Sequence, residues 1–201
     1  MMINTIQQKE IILASGSPRR KELLMRMGVD FDIMLCDAEE VYDESMSPTD
    51  VVEYLAKQKA GIVNKMAQGR VVIGADTVVS IGEHILGKPN SKDEAYEMIK
   101  KLSGNWHEVI TGICIYENEK HITEHETTRV HFVEMTEGEI DGYINTDEPY
   151  DKAGAYGIQG LAGMYIDRIE GDFYNIMGFP MARVHAMLKS IGAVGDMKGN
   201  L

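Results

Sequence analysis

An apolar run that stops at a serine–proline pair followed by two arginines constrains this chain more than any other feature. Residues 11–14 (Ile-Ile-Leu-Ala) read as a short buried strand. Ser17 and Pro18 then read as a helix start, with Ser17 as N-cap and Pro18 at the first helical position. Arg19 and Arg20 therefore fall in the first turn. A helix N-terminus already carries partial positive charge and prefers Asp or Glu there. A local rule broken in this way marks a functional position. Free backbone N–H groups and two guanidinium groups at a strand-to-helix turn suit a bound anion, a phosphate chain above all. The competing reading is two solvated arginines on a surface helix.

An anion site is not what the overall charge would favour. The 201 residues carry a formal net charge of -12, which argues against non-specific nucleic-acid binding, since that needs a basic face. A few cations converging locally, helped by a metal ion, would still hold an anionic small molecule. Hydrophobic residues make up 44%, so the chain is globular. It is long enough for one domain with a sizeable core, or for two small lobes. Cys36 and Cys114 lie in apolar, strand-like surroundings without metal or redox spacing, and read as buried free thiols in a reducing cytoplasm. Residues 1–10 have no apolar core of signal-peptide type, and no apolar run approaches membrane-spanning length. A soluble, cytoplasmic protein is expected.

Along the chain, a helix over 18–27 and a strand over 31–36 precede an acidic loop at 37–44. Ser47-Pro48-Thr49-Asp50 starts a second helix with an apolar face of Val51, Val52, Leu55, Ile62, Val63 and Met66, closed by Gly69. Residues 71–75 read as a buried strand ending at Asp76-Thr77, and 78–81 with 84–86 as a hairpin. Ser91 and Glu94 form a capping box for a helix burying Ala95, Met98, Ile99 and Leu102. Two long strands over 109–116 and 122–133 flank a polar turn at 117–120. Thr136 and Glu139 cap a short helix to Asn145, followed by a glycine-rich loop at 147–163. Residues 164–169 and 173–177 suggest a last hairpin. Pro180 opens a helix with Ala182, Val184, Met187, Leu188 and Ile191 as its apolar set, and 192–201 reads as a frayed tail. The irregular alternation of helices and strands points to an α/β or α+β mixed sheet in a single domain over 1–201.

Four motifs carry chemistry. Gly82 to Lys88 approximates a phosphate-binding Gly-rich loop, but Pro89 stands where the metal-binding hydroxyl belongs; Lys88 alone remains a candidate phosphate ligand. Asp76 at a strand end, with Thr77 beside it, is placed to activate water or hold a metal ion, unless it merely forms a turn. Glu39-Glu40 is a solvated loop by default, but Mg²⁺ takes one or two carboxylates, and Asp76 would need a second. In Asp151 to Gly160 three glycines let backbone approach a ligand, and Gln159 offers the donor and acceptor that read a nucleobase edge. The six histidines show no tight metal cluster, and the 14 methionines follow the helical apolar faces as core filler.

These blocks in order resemble the Maf family, the septum-formation-inhibitor proteins regarded as nucleoside triphosphate pyrophosphatases. The resemblance runs from about Ile11 to Leu188. It rests on Leu13 to Arg20, Gly74 to Val79, Leu86 to Pro89, Leu102-Ser103-Gly104 with His107 and Thr111-Gly112, Glu148-Pro149, and Asp151 to Gly160. It implies an α/β fold: a mixed twisted sheet with flanking helices and two lobes around a deep cleft, similar to the inosine triphosphate pyrophosphatases. It implies hydrolysis between the α and β phosphates with a divalent cation, Mg²⁺ or Mn²⁺. Asp76 then matches the proton acceptor. Arg19, Thr77 and Gln159 match positions that set base specificity. Ser15, Arg20, Lys59 and Lys88 match phosphate-binding positions, and Glu40 a metal or water-organising carboxylate. The form of the last block resembles the subgroup acting on dTTP and UTP, and the family implies a homodimer. Two other classes remain to be weighed: a nucleotide-binding regulator of septum formation with little catalysis, and an RNA-binding module, which the net charge disfavours.

Overall fold

A computed structural model describes residues 4–36 and 40–198. In chain order it contains β1 (Asn4–Gln7), β2 (Ile11–Leu13), α1 (Pro18–Arg26), β3 (Phe31–Ile33), α2 (Pro48–Asn64), β4 (Val71–Ile81) and β5 (His84–Leu86). Then come α3 (Lys92–Leu102), β6 (Trp106–Glu117), β7 (Lys120–Phe132) and α4 (Glu137–Ile144). Three 3-10 turns follow, then β8 (Ile166–Glu170), α5 (Phe173–Ile176), α6 (Met181–Ser190) and β9 (Val194–Lys198). The main sheet runs β3-β2-β4-β6-β7-β8, with β5 paired to β4. β2 is parallel to β3 and β4, and every other pairing in this sheet is antiparallel. Helices flank this mixed sheet, as the α/β reading expects.

Period-two alternation assigns the faces. Ile11, Leu13, Val71, Ile73 and Ala75 pack with Leu23 and Leu24 of α1 and with Val184 and Leu188 of α6. Ile12, Val72 and Cys114 face the other way, against Ala56, Ala60 and Val63 of α2. At the far end of the long strands Val79, Val109 and Phe132 pack against α3, α4 and Tyr156. Apolar side chains thus gather into groups at the two ends of the sheet, and the cleft opens between them.

The helix starts are chemically ordinary. Ser17 accepts from the Arg20 amide at 3.5 Å, Pro18 follows it, and no acidic residue occupies the first turn of α1. Thr136 and Glu139 form a reciprocal capping box. Ser91 caps α3 by accepting from the Glu94 amide, but the Glu94 carboxylate reaches back to the amide of Asn90 at 2.6 Å, so the expected box is not reciprocal.

α2 lies unusually close to the sheet. A Cβ on Gly74 would stand 2.5 Å from the Ala56 carbonyl oxygen, and one on Gly112 would stand 2.3 Å from that of Val52. Only glycine allows backbone to meet backbone so closely. Gly112 pairs directly with Asp76, so this contact sets the height of α2 above that residue.

Several expectations are corrected. Asp76 does not end a strand: β4 continues through it to Ile81. What ends is its neighbour, because β2 pairs only with residues 71–73 and β5 only with 79–81. Among the described residues no strand covers that edge of β4 at 74–78. Residues 173–177 are a helical turn rather than a hairpin strand, because the Asp172 carboxylate accepts from the Tyr174 amide at 2.7 Å. Met66 lies beyond the end of α2 and is 53% exposed, and Ala182 is also exposed. The strand at 31–36 stops at Ile33, and β6 and β7 begin earlier than expected. The tail is not wholly frayed, since β9 pairs antiparallel with β1. Residues 37–39 of the acidic loop, and 199–201 of the tail, lie outside the described residues. Cys114 is buried and Cys36 half-buried, and both are free; burial pushes the Cys114 thiol up to about 11.

Candidate active site

The uncovered edge of β4 opens into a cleft of about 610 Å³. All nine candidates line it: Ser15, Arg19 and Arg20 from the β2–α1 turn, Glu40 and Lys59, Asp76 and Thr77 of β4, Lys88 after β5, and Gln159 of the glycine-rich loop. The position follows from the parallel pairing. A ligand pocket forms where strand neighbours part beyond a strand's carboxyl end, here that of β2. Because side chains alternate, Asp76 points to the α2 face and Thr77 to the α1 face. Two consecutive residues therefore serve two halves of one cleft.

On the α2 face the Lys59 ammonium donates to Asp76 Oδ1 at 2.5 Å and to Glu40 Oε1 at 2.8 Å. The environments push the two carboxyls apart. Burial raises Asp76 above the ordinary aspartate range, although Lys59 and Arg20 pull the other way. Glu40 is lowered, first by its hydrogen bond from Lys59 and against the opposing effect of burial, with Lys88 and Arg20 adding attraction. Burial works against the charge on Lys59, yet the two carboxylates together raise it. Two carboxylates separated in this way differ in proton affinity, the division an acid–base pair needs. Glu40 holds its charge more readily, and Asp76 takes a proton more readily.

On the other face, the Arg20 guanidinium donates from Nε to the Gly178 carbonyl at 2.9 Å and from Nη2 to Thr77 Oγ1 at 3.0 Å. Its Nη1 donates to the Ala75 carbonyl at 2.9 Å and to Ser15 Oγ at 3.3 Å. An arginine has five N–H donors, so one on Nη2 remains. Arg20 is chiefly a bracket that fills the vacant edge of β4 and adds positive charge. Ser15 Oγ also accepts from the Ser17 amide at 3.2 Å, which leaves its hydroxyl proton for a ligand. Arg19 and Lys88 make no hydrogen bond among the described residues. Gln159 is exposed in the turn closed by the Gly160 amide and the Gly157 carbonyl at 3.1 Å.

Thr111, Asn175 and Gly178 were not assigned a role from sequence. Thr111 Oγ1 donates to the Asn175 carbonyl at 3.2 Å, so Thr77, 3.0 Å away, gives its own proton to Thr111. Thr77 thereby presents only a lone pair. Thr111 faces Thr77 directly across β4 and β6, a register no sequence spacing reveals. His107 is structural: it is buried, lowered to about 3 by burial, and bonded through Nε2 to Tyr156 Oη at 2.7 Å.

Comparison with known proteins agrees in extent with this layout. A family model described as Maf-like protein matches residues 10–191. Proteins named dTTP/UTP pyrophosphatase from Bacillus cereus (strain G9842) and Bacillus anthracis (strain CDC 684 / NRRL 3495) are each 49% identical over 181 residues. The match covers 90% of this chain and 95% of each relative. The solved structure of a HAM1 protein from Coxiella burnetii matches with a TM-score of 0.44 at 15% identity, over 62% of this chain and 73% of that one. The match over residues 10–191 spans the main sheet and the whole cleft: this chain belongs to the Maf family.

Proposed function

We propose that the protein is a nucleoside triphosphate pyrophosphatase that hydrolyses dTTP and UTP to the monophosphate and pyrophosphate. The observation that carries this reading is the Lys59-bridged pair of Asp76 and Glu40, set in a cleft with Arg19, Arg20 and Lys88. The names of the similar Bacillus proteins support the substrate class. Phosphoryl transfer needs charge neutralisation and placement more than a covalent nucleophile. Arg19, Lys88, the Ser15 hydroxyl and the first amides of α1 hold the phosphate oxygens. Asp76 takes a proton from water as its oxygen bonds to the α phosphorus. The bond from that phosphorus to the bridging oxygen breaks, and pyrophosphate leaves with the electron pair.

The donor set fits a hard divalent cation, Mg²⁺ or Mn²⁺. Among the described residues no group of three or more His, Cys, Asp or Glu side chains could hold a metal. The two carboxylates on one ammonium match a cation that takes its other ligands from water and phosphate. Glu40 and Asp76 would hold it, and it would supply neutralisation of the triphosphate charge. Gln159 pairs with the imide edge of uracil or thymine and does not sense the 5-methyl group, which accounts for tolerance of both. No helix among the described residues is long and apolar enough to cross a membrane, and two free thiols suit the cytoplasm.

Hydrolysis of UTP in ¹⁸O-labelled water tests the bond that breaks. Label is expected in UMP and absent from pyrophosphate. Label in pyrophosphate, or release of inorganic phosphate, contradicts the proposed reaction.

A further inference from the structure

Glu148 has no place in the chemistry above, yet it ties the glycine-rich loop together. Its carbonyl accepts from Lys152 Nζ at 2.7 Å. Its carboxylate accepts from the Leu161 amide at 2.7 Å and the Ala162 amide at 3.3 Å. The Tyr143 hydroxyl lies 3.2 Å from the same carboxylate and 3.1 Å from the Ala155 carbonyl. One side chain is therefore linked to positions 155, 161 and 162, either side of Gln159. The fit is tight: a Cβ on Gly160 would stand 2.3 Å from the Glu148 carboxylate. That glycine is not needed for its backbone, since its φ is -105°. It is needed because the carboxylate packs against it, one residue from Gln159.

We propose that Glu148 is a positioning residue for base recognition, a clasp that fixes the Gln159 turn against the cleft wall. This rests on the proposed reading of Gln159 as the base reader. The chemistry requires a carboxylate. Two backbone amides and the Tyr143 hydroxyl, whose one proton is shared with the Ala155 carbonyl, converge on two oxygens, and an amide in that place would turn an N–H toward another donor. An unmet donor at the loop base lets the turn drift, and a misplacement on the order of 1 Å is costly to a bound geometry. The phosphate-side residues Ser15, Arg19, Arg20, Lys59 and Lys88 make no hydrogen bond to this clasp among the described residues, although Val79 of β4 packs on its apolar side.

The test uses Glu148→Gln and Gly160→Ala, which attack the same contact from its two sides. For both, the UTP-over-CTP ratio of kcat/KM is expected to fall about tenfold, mainly through KM for UTP. Tripolyphosphate, which has no base, is expected to inhibit wild type and variants equally. Amide hydrogen exchange is expected to accelerate in residues 156–162 and to stay unchanged in β4 and β6. Gly160→Ala is expected to add little once Glu148→Ala is present, since the two share one contact. An unchanged UTP-over-CTP ratio in an active protein overturns the proposal, as does exchange that accelerates throughout the chain or weaker tripolyphosphate inhibition in the variants. A wild type without turnover overturns the proposed function, and the specificity role with it. Exchange in 156–162 still reports separately on the clasp.

Discussion

Asp76→Asn is expected to leave the fold intact and to lower kcat for UTP by about 10²-fold or more, the scale of a lost general base. The amide keeps the volume and an oxygen for Lys59, so packing against α2 survives. It cannot take a proton from water. KM is expected to rise less than kcat falls, because Arg19, Lys88 and Ser15 still face the phosphates while Asp76 would share the cation with Glu40. Steady-state kinetics with a thermal melt checks both halves, and a kcat within about threefold of wild type contradicts the assignment. The wild-type pH profile carries the same information. Only ionised Asp76 accepts a proton, so kcat/KM is lost as pH falls through its pKa. Burial raises that pKa in the metal-free protein, so the acid limb of kcat/KM, which reports the free enzyme, is expected above the ordinary aspartate value of 3.8.

Lys59→Met is expected to move that limb to still higher pH and to destabilise the protein. Without the ammonium, Asp76 loses the attraction that offsets its burial, and the protonated form gains further. Removing one partner of a buried ion pair costs about 3 kcal/mol. The sign with pH follows. The loss is largest where Asp76 would be ionised and shrinks in acid, where protonation removes the uncompensated charge. Urea unfolding near neutral pH and in acid, with a pH–rate profile, reads all of this. An acid limb that stays in place contradicts the claim that Lys59 sets the charge of Asp76.

The parts of this site legible in the sequence are those fixed by local chemistry. Ser17-Pro18 announces the first helix because capping needs only neighbours along the chain. Thr136 and Glu139 do the same for α4. Asp76 was visible as a carboxylate, but its setting was misjudged, because the end of a partner strand leaves no mark on the strand beside it. Lys59 is 17 residues from Asp76 and 19 from Glu40, and only the packing of α2 on Gly74 and Gly112 brings the three together. Arg19 and Arg20 look equivalent in sequence. The step of about 100° between consecutive helical residues sends Arg20 into the vacant edge of β4, where protein consumes most of its donors, and leaves Arg19 lining the cleft with no hydrogen bond among the described residues. Thr77 and Thr111 were illegible as a pair, since a hydrogen bond across a sheet depends on register alone.

The most direct measurement is pyrophosphate release from UTP, dTTP, CTP, GTP, ATP and 7-methylguanosine triphosphate, with Mg²⁺ or Mn²⁺ and with EDTA. Release from UTP and dTTP above the others, abolished by EDTA, is the predicted result. Silence across the panel from folded protein, or equal hydrolysis of GTP and ATP, contradicts the account.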